Sequence, residues 1–124
     1  MGLFDTLGRK RTERQIAGQA AEDEALHYLQ RQGLTLVERN FRCKGGEIDL
    51  IMQERQVLIF VEVRKRADMR HGGAAASVTS AKQRRLVIAA QVYLQRYRSL
   101  PACRFDVIAI DGATFSWLKN AIEA

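Results

Sequence analysis

Apolar and polar positions divide the chain into alternating helical and extended stretches. From Arg14 to about Gln32, Ala17, Ala20, Ala21, Ala25, Tyr28 and Leu29 recur at three- and four-residue steps, the spacing of one helix face. Gly33 supplies the stop. Leu34 to Phe41 alternates and carries enough strand-forming residues to predict a first strand. Cys43 to Gly46 reads as a turn, Glu47 to Met52 as a second strand, Gln53 to Gln56 as a turn and Val57 to Arg66 as a third strand. Ala67 to Val78 has small residues, two glycines and no period, and reads as a flexible loop. Thr79 or Ser80 caps a helix running to about Arg98, with Leu86, Val87, Ala90, Tyr93, Leu94 and Tyr97 on its buried side. Pro101 breaks the chain, Arg104 to Ile110 forms a fourth strand, Asp111-Gly112 a hairpin turn and Ala113 to Leu118 a last strand.

The order αβββαββ predicts an α/β fold, a single-domain mixed sheet flanked by helices. The passage from third to fourth strand is long enough for a parallel crossover. A chain of 124 residues supports one such domain, spanning 14–124. Residues 1–13, with Arg9-Lys10-Arg11, read as a flexible basic arm. No apolar run approaches the roughly 20 residues that span a bilayer. The first fourteen residues lack the apolar stretch of a secretory signal. Met1-Gly2 with Thr6 fits a myristoylation pattern, but nothing else points to a membrane. The expectation is a cytoplasmic protein with no membrane partner.

Charge sharpens the picture. Twenty basic residues against fourteen acidic ones leave a net charge of +6, which favours a polyanion, nucleic acid first, as partner. Cys43 and Cys103 have no metal-ligand spacing and read as ordinary thiols of a reducing compartment.

Two acids interrupt the apolar strands. Side chains on a strand alternate between faces. On the third strand Leu58, Phe60, Glu62 and Arg64 point one way, and Val57, Ile59, Val61 and Val63 form an aliphatic face the other way. On the second strand Glu47, Asp49 and Ile51 share a face. A hairpin closing around Glu54-Arg55 sets Asp49 opposite Phe60 and diagonal to Glu62, within reach of a shared ion. Bare carboxylates in buried strands cost several kcal/mol unless something positive meets them. Either each pairs with a buried arginine, or the two share a divalent cation. With only oxygen ligands that cation is Mg²⁺ or Mn²⁺, and a backbone carbonyl such as that of Val63 completes the protein's share. Glu22 on the first helix is a candidate third carboxylate, with Gly18 clearing space one turn earlier. Arg64 stands beside Glu62, where a cation reaches a phosphate or an attacking water.

These pieces carry a resemblance. "AGQAAEDEAL", "NFRCKGGEIDLI", "LIFVEVRKR", the basic helix start "TSAKQRRL" and "RFDVIAI", taken in order, resemble the YraN family of small bacterial proteins. Through it they resemble the PD-(D/E)XK nucleases, especially the archaeal Holliday-junction resolvase branch. The resemblance covers the chain from Ile16 to Ile110. It implies a restriction-endonuclease-like core and a metal-dependent endonuclease acting on structured, branched DNA. It also implies metal ligands at Asp49 and Glu62 and an accessory acid at Glu22. Its third motif position, usually Lys, falls on Arg64. Arginine keeps its charge and cannot act as a base, yet binds phosphate well. The implied nucleic-acid grip comprises Arg64, Lys65, Arg66, Arg70, Lys82, Arg84 and Arg85, and Lys82 can reach in from the second helix. A four-way junction offers two related cut sites, so a homodimer is implied by analogy. A second expectation, favoured by Arg64, is a non-catalytic nucleic-acid-binding or assembly module on the same fold, or an RNA-directed member.

Other polar residues read as structural. Asp106 pairs with Arg104 or another cation, Glu47 is a rim residue, and Tyr93, Tyr97 and Trp117 pack. His27 and His71 receive no catalytic role.

Overall fold

A computed structural model of the chain describes residues 12–66 and 72–123. The first helix, α1 (Glu13–Arg31), starts where Thr12 and Gln15 cap each other, each side chain accepting from the other's backbone amide at 3.1 and 2.9 Å. It ends as expected at Gly33, whose φ of 97° suits glycine. The expected apolar stripe is only half used. Ala21, Ala25, Leu26 and Leu29 are buried, whereas Ala17 and Ala20 are exposed because the first two turns run past the sheet.

Three strands follow, β1 (Thr35–Cys43), β2 (Gly46–Glu54) and β3 (Val57–Arg66). A four-residue helix, α2 (Gly73–Ala76), and α3 (Ser80–Leu94) lead to β4 (Ala102–Asp111) and β5 (Thr114–Leu118). The stretch expected to be a featureless loop thus contains α2, with Gly73 and Ala74 buried, because the Ala74 amide is captured by Asp111 Oδ1 at 2.7 Å. Helix α3 is capped by Thr79, whose hydroxyl accepts from the Lys82 amide at 3.2 Å. It stops at Leu94, a turn short of the expected Arg98. The expected arm spans 1–13; of these, Thr12 and Glu13 belong to the helix start, and 1–11 lie outside the described residues.

The five strands form one mixed sheet in the order β1-β2-β3-β4-β5, antiparallel except for the β3–β4 pair, which is parallel. The crossover between β3 and β4 carries α2 and α3, as the length of that passage predicts. The fold is therefore α/β, with a five-stranded mixed sheet flanked by helices. One apolar cluster joins α1 to Leu50, Met52, Ile59, Val61, Val63, Ile108 and Ile110. The other joins α3 to Ile48, Ile51, Leu58, Phe60, Phe105 and Val107. Strand β3 is covered on both faces, which explains its unbroken apolar run. At Gly46 a Cβ would overlap the Arg85 carbonyl, so only glycine lets α3 sit this close to the start of β2. Among the described residues no helix is long and apolar enough to cross a membrane.

Candidate metal centre and its cleft

The register of β2 on β3 differs from expectation by two residues. The turn is Arg55-Gln56, with Arg55 at φ 56°, and Ile51 rather than Asp49 faces Phe60. Continuing the pairing brings Asp49 level with Glu62. The paired ladder runs from Glu54↔Val57 to Leu50↔Val61. Past it, the Val63 amide donates to Asp49 Oδ2 at 2.8 Å, a side chain standing where a strand carbonyl would accept.

Alternation also breaks at Asp49. Ile48 and Leu50, two residues apart, belong to clusters on opposite faces of the sheet. Their β1 partners, Phe41 and Arg39, bracket Asn40, whose φ is 52°. Arg39 turns to α1 and Phe41 packs on the α3 side. The hairpin rolls over about Asn40 and Asp49, which takes Asp49 out of either core and turns it into the gap where β2 parts from β3. Asn tolerates φ above zero better than most residues, which suits Asn40 to this position.

Glu62 is buried and Asp49 partly so, and their carboxyls hydrogen-bond to each other. That contact requires a proton. Burial, then the Glu62 charge, push Asp49 up to about 8, so at neutral pH Asp49 holds the proton and Glu62 accepts it. Burial raises Glu62 as well, against the lowering pull of the Asp49 hydrogen bond and of Arg64 and Lys82. Glu22 is raised by burial and by Asp49. Its Oε1 is buried without a hydrogen bond, 3.6 Å from Arg39 Nη2. Arg39 in turn donates to Asp23 at 2.7 Å. Arg39, Asp23 and Asn40 are residues of this site that sequence patterning did not single out.

A cleft of about 600 Å³ opens on Asp49, lined by Ala17, Gly18, Ala21 and Glu22 of α1, Asp49, Val63 to Arg66, and Lys82, with Glu62 buried behind this lining. At Gly18 a Cβ would meet nothing within 4 Å, so the absence of a side chain there is not what makes room for Glu22. The expected metal ligands are two carboxylates with the Val63 backbone beside them. Among the described residues no group of three or more His, Cys, Asp or Glu is placed to hold a metal, so Glu22 shares the cleft without completing a triad. The set fits a hard divalent ion that keeps several waters and takes one or two carboxylates. Such an ion would replace the proton that the pair shares.

The basic residues divide. Arg64, Lys65, Arg66 and Lys82 line the cleft. Arg64 is tethered, its Nε donating to Ser77 Oγ at 3.0 Å and its Nη1 3.6 Å from Glu62 Oε2. Ser77 was not foreseen, since it lies in the stretch read as loop. Lys65 turns to α1 and pairs with Glu24 at 3.1 Å, on the face opposite Arg64 as alternation requires. The expected grip narrows on the second helix. Arg84 lines a separate groove with Val87, Ile88 and Glu123, because a step of two residues from Lys82 carries it round the helix. Arg85 pairs with Glu47 at 3.7 Å, which also pairs with Arg42 and is a rim residue as expected. Arg70 and His71 lie outside the described residues.

The structural assignments hold. Asp106, fully buried, accepts from Arg104 Nε at 3.0 Å, Trp117 Nε1 at 2.8 Å and the Asn120 amide at 2.9 Å. Tyr93 is buried and His27 exposed. Both cysteines are free.

Comparison with known proteins gives the relationship. A family model described as "Uncharacterised protein family UPF0102" matches residues 21–110. A UPF0102 protein of Herminiimonas arsenicoxydans is 70% identical over 124 residues, all of both chains. One from Janthinobacterium sp. (strain Marseille) is 67% identical over 116 residues, 94% of each chain. One from Ralstonia pickettii (strain 12J) is 60% identical over 109 residues, 84% of this chain and 87% of the relative. The chain belongs to the UPF0102 family.

Proposed function

We propose that this UPF0102 chain is a metal-dependent endonuclease of the restriction-endonuclease-like, PD-(D/E)XK type, acting on the phosphodiester backbone of structured DNA. The observation that carries the reading is the Asp49–Glu62 carboxyl pair at the parting of two strands, Glu62 buried and Asp49 lining a cleft with four cations. A fold seldom sets two acids in contact away from water for stability alone, since the second costs more than the first. Asp49, Glu62 and the Val63 backbone would hold Mg²⁺ or Mn²⁺. When bound, that ion supplies Lewis acidity toward a phosphoryl oxygen and an attacking water.

The chain's own residues do the rest. Val63 fixes the Asp49 carboxyl through its amide. Glu22, raised by burial, stands in the cleft as an accessory acid. Ser77 holds the Arg64 guanidinium beside Glu62, on the wall of the cleft that the phosphate backbone would enter. Lys65, Arg66 and Lys82 bind backbone phosphates without regard to sequence, so affinity falls with salt. The small wall of Ala17, Gly18 and Ala21 leaves the strand room to enter. Two chains related by a two-fold axis would match the two cut sites of a four-way junction.

The test is a panel of labelled duplex, flap, single-stranded and four-way-junction DNA, with a matching RNA, incubated with Mg²⁺, Mn²⁺ or EDTA. Wild type is expected to cut in either metal and not in EDTA. Asp49→Asn and Glu62→Gln are expected to bind substrate and to cut at least about 100-fold more slowly. Cutting that survives both substitutions, or that proceeds in EDTA, would remove the assignment.

A second reading, a nucleic-acid-binding or assembly module without cleavage, is favoured by the tethering of Arg64, which stays charged and is already engaged. Salt-sensitive binding with no cutting in any metal would support it. Cleavage confined to RNA would assign the RNA-directed form.

A further inference from the structure

Two cations face the acid pair, and they are held differently. Arg64 is spent on its neighbours, with Nε bonded to Ser77 Oγ, Nη1 against Glu62 and its side chain 20% exposed. Lys82 comes from another element. It stands in the first turn of α3, where Thr79 caps its backbone amide and pins the start of the helix. Its side chain lines the same cleft, and its charge reaches Glu62. Among the described residues, its ammonium has no hydrogen bond or ion pair within 4.0 Å.

Its position works against folding. A cation in the first turn of a helix opposes the macrodipole, and no acid in the first turn of α3 offsets it. A half-buried lysine with its head free, at a dipole-positive helix end, keeps its donors available for a further anion. The cleft admits one from outside.

Resting on the nuclease reading above, we propose that Lys82 is the catalytic cation of this site, donating to the non-bridging oxygen of the scissile phosphate, and that Arg64 positions Glu62. In the step it serves, a water oxygen forms a new bond to phosphorus while the bond from phosphorus to the sugar oxygen breaks. The water gives a proton to solvent and the leaving oxygen takes one. One water is consumed, and a phosphate monoester and a free hydroxyl result. Lys82 keeps its own protons and acts by charge. The reacting phosphate is therefore gripped from α3, while β3 supplies the acid that Arg64 holds in place.

The experiment compares wild type, Lys82→Met, Lys82→Arg and Asp49→Asn in single-turnover cleavage of the best substrate of the panel. Substrate affinity by fluorescence anisotropy and Mn²⁺ affinity by calorimetry, without nucleic acid, accompany it. Lys82→Met is expected to slow cleavage about 100-fold, the scale of one lost transition-state donor. Its substrate affinity should fall less than about tenfold, as for the loss of one phosphate contact. Its Mn²⁺ affinity should equal or exceed that of wild type, because a positive charge beside the carboxylates is gone. Lys82→Arg should recover part of the rate. Cleavage by Lys82→Met within about threefold of wild type, while Asp49→Asn is dead, would overturn the role of Lys82 and leave the nuclease standing. Loss of Mn²⁺ binding together with cleavage in Lys82→Met would also overturn it, since Lys82 would then be supporting the acid pair. A wild type that cuts nothing in the panel would overturn both.

Discussion

Asp49 and Asp106 flank the central strand β3, one on β2 and the other on β4, and they keep opposite company. Asp106 is met by a guanidinium, an indole N–H and a backbone amide. Asp49 is met by one backbone amide and by another acid. The same residue type on the same sheet thus serves two ends. Where donors converge on a buried carboxylate, its desolvation is offset and the residue ties elements together, here β4 to β5 and the turn beyond it. Where acids converge, the fold holds a proton that a cation from outside can replace. This contrast separates the structural acid from the candidate site better than burial does, since Asp106 is the more buried of the two.

The contrast breaks most visibly under truncation. Asp106→Ala strands Arg104, Trp117 Nε1 and the Asn120 amide in one step. Removing one partner of a buried, hydrogen-bonded pair costs about 3–5 kcal/mol, so urea unfolding at pH 7 should show a loss of that size. Asp49→Asn keeps an acceptor for the Val63 amide and removes only an acid that is already mostly protonated. At pH 6 its stability should lie within about 1 kcal/mol of wild type. Equal losses in the two variants would show that Asp49 is as well paired as Asp106.

Next in size is the response to pH. Asp49 ordinarily titrates near 3.8 and is pushed up to about 8 in the fold, so between those values the folded chain holds a proton that the unfolded chain has released. The contribution is fully present below about pH 4 and is lost as pH climbs through 8. Glu62 and Glu22, also raised, act in the same sense. Metal-free protein should therefore lose stability with rising pH, by up to about 1.4 kcal/mol per unit for Asp49 alone. Asp49→Asn should flatten the slope and be the more stable protein at pH 9. Urea midpoints in EDTA from pH 4.5 to 9 measure both, and a midpoint that rises over that range would mean the acids are not opposed. Divalent cation added at pH 8 should raise the midpoint of wild type and leave that of Asp49→Asn nearly where it was.

Much of this was legible beforehand, and what escaped did so for physical reasons. Every strand follows from local periodicity, a short-range signal, and the parallel crossover from the length of the passage between β3 and β4. The Asp49–Glu62 meeting was legible because an even-numbered register error keeps both residues on one side. The roll of the hairpin at Asn40 was not, because alternation assumes a regular strand. The helix within residues 72–78 is held by Asp111, far along the chain, and small residues carry no periodic mark of such a contact. The division of the basic residues depends on which acids face them. Lys65 and Arg85 find Glu24 and Glu47 across the fold, a matter of tertiary packing.

Glu22 lies between the two extremes and gives the finest test of the contrast. It has a cation, Arg39, at 3.6 Å, but it shares that cation with Asp23, and its own Oε1 lacks a hydrogen bond. Burial and Asp49 raise it while Arg39 and Asn40 hold it down. Arg39→Gln removes the main restraint and should cost about 1 kcal/mol at pH 7.5, the scale of a partly exposed charged hydrogen bond. Glu22 would then climb further, and by the same linkage the cost should be smaller at pH 5 than at pH 7.5, because acid favours the protonated Glu22, which no longer misses the arginine. Asp23 is more exposed and should add little to that change, since its charge is well hydrated. Unfolding of wild type and Arg39→Gln at the two pH values yields the difference directly. A cost that is the same at both would assign the arginine to Asp23 alone and leave Glu22 as a third acid without a counter-charge, which brings it fully onto the side of Asp49.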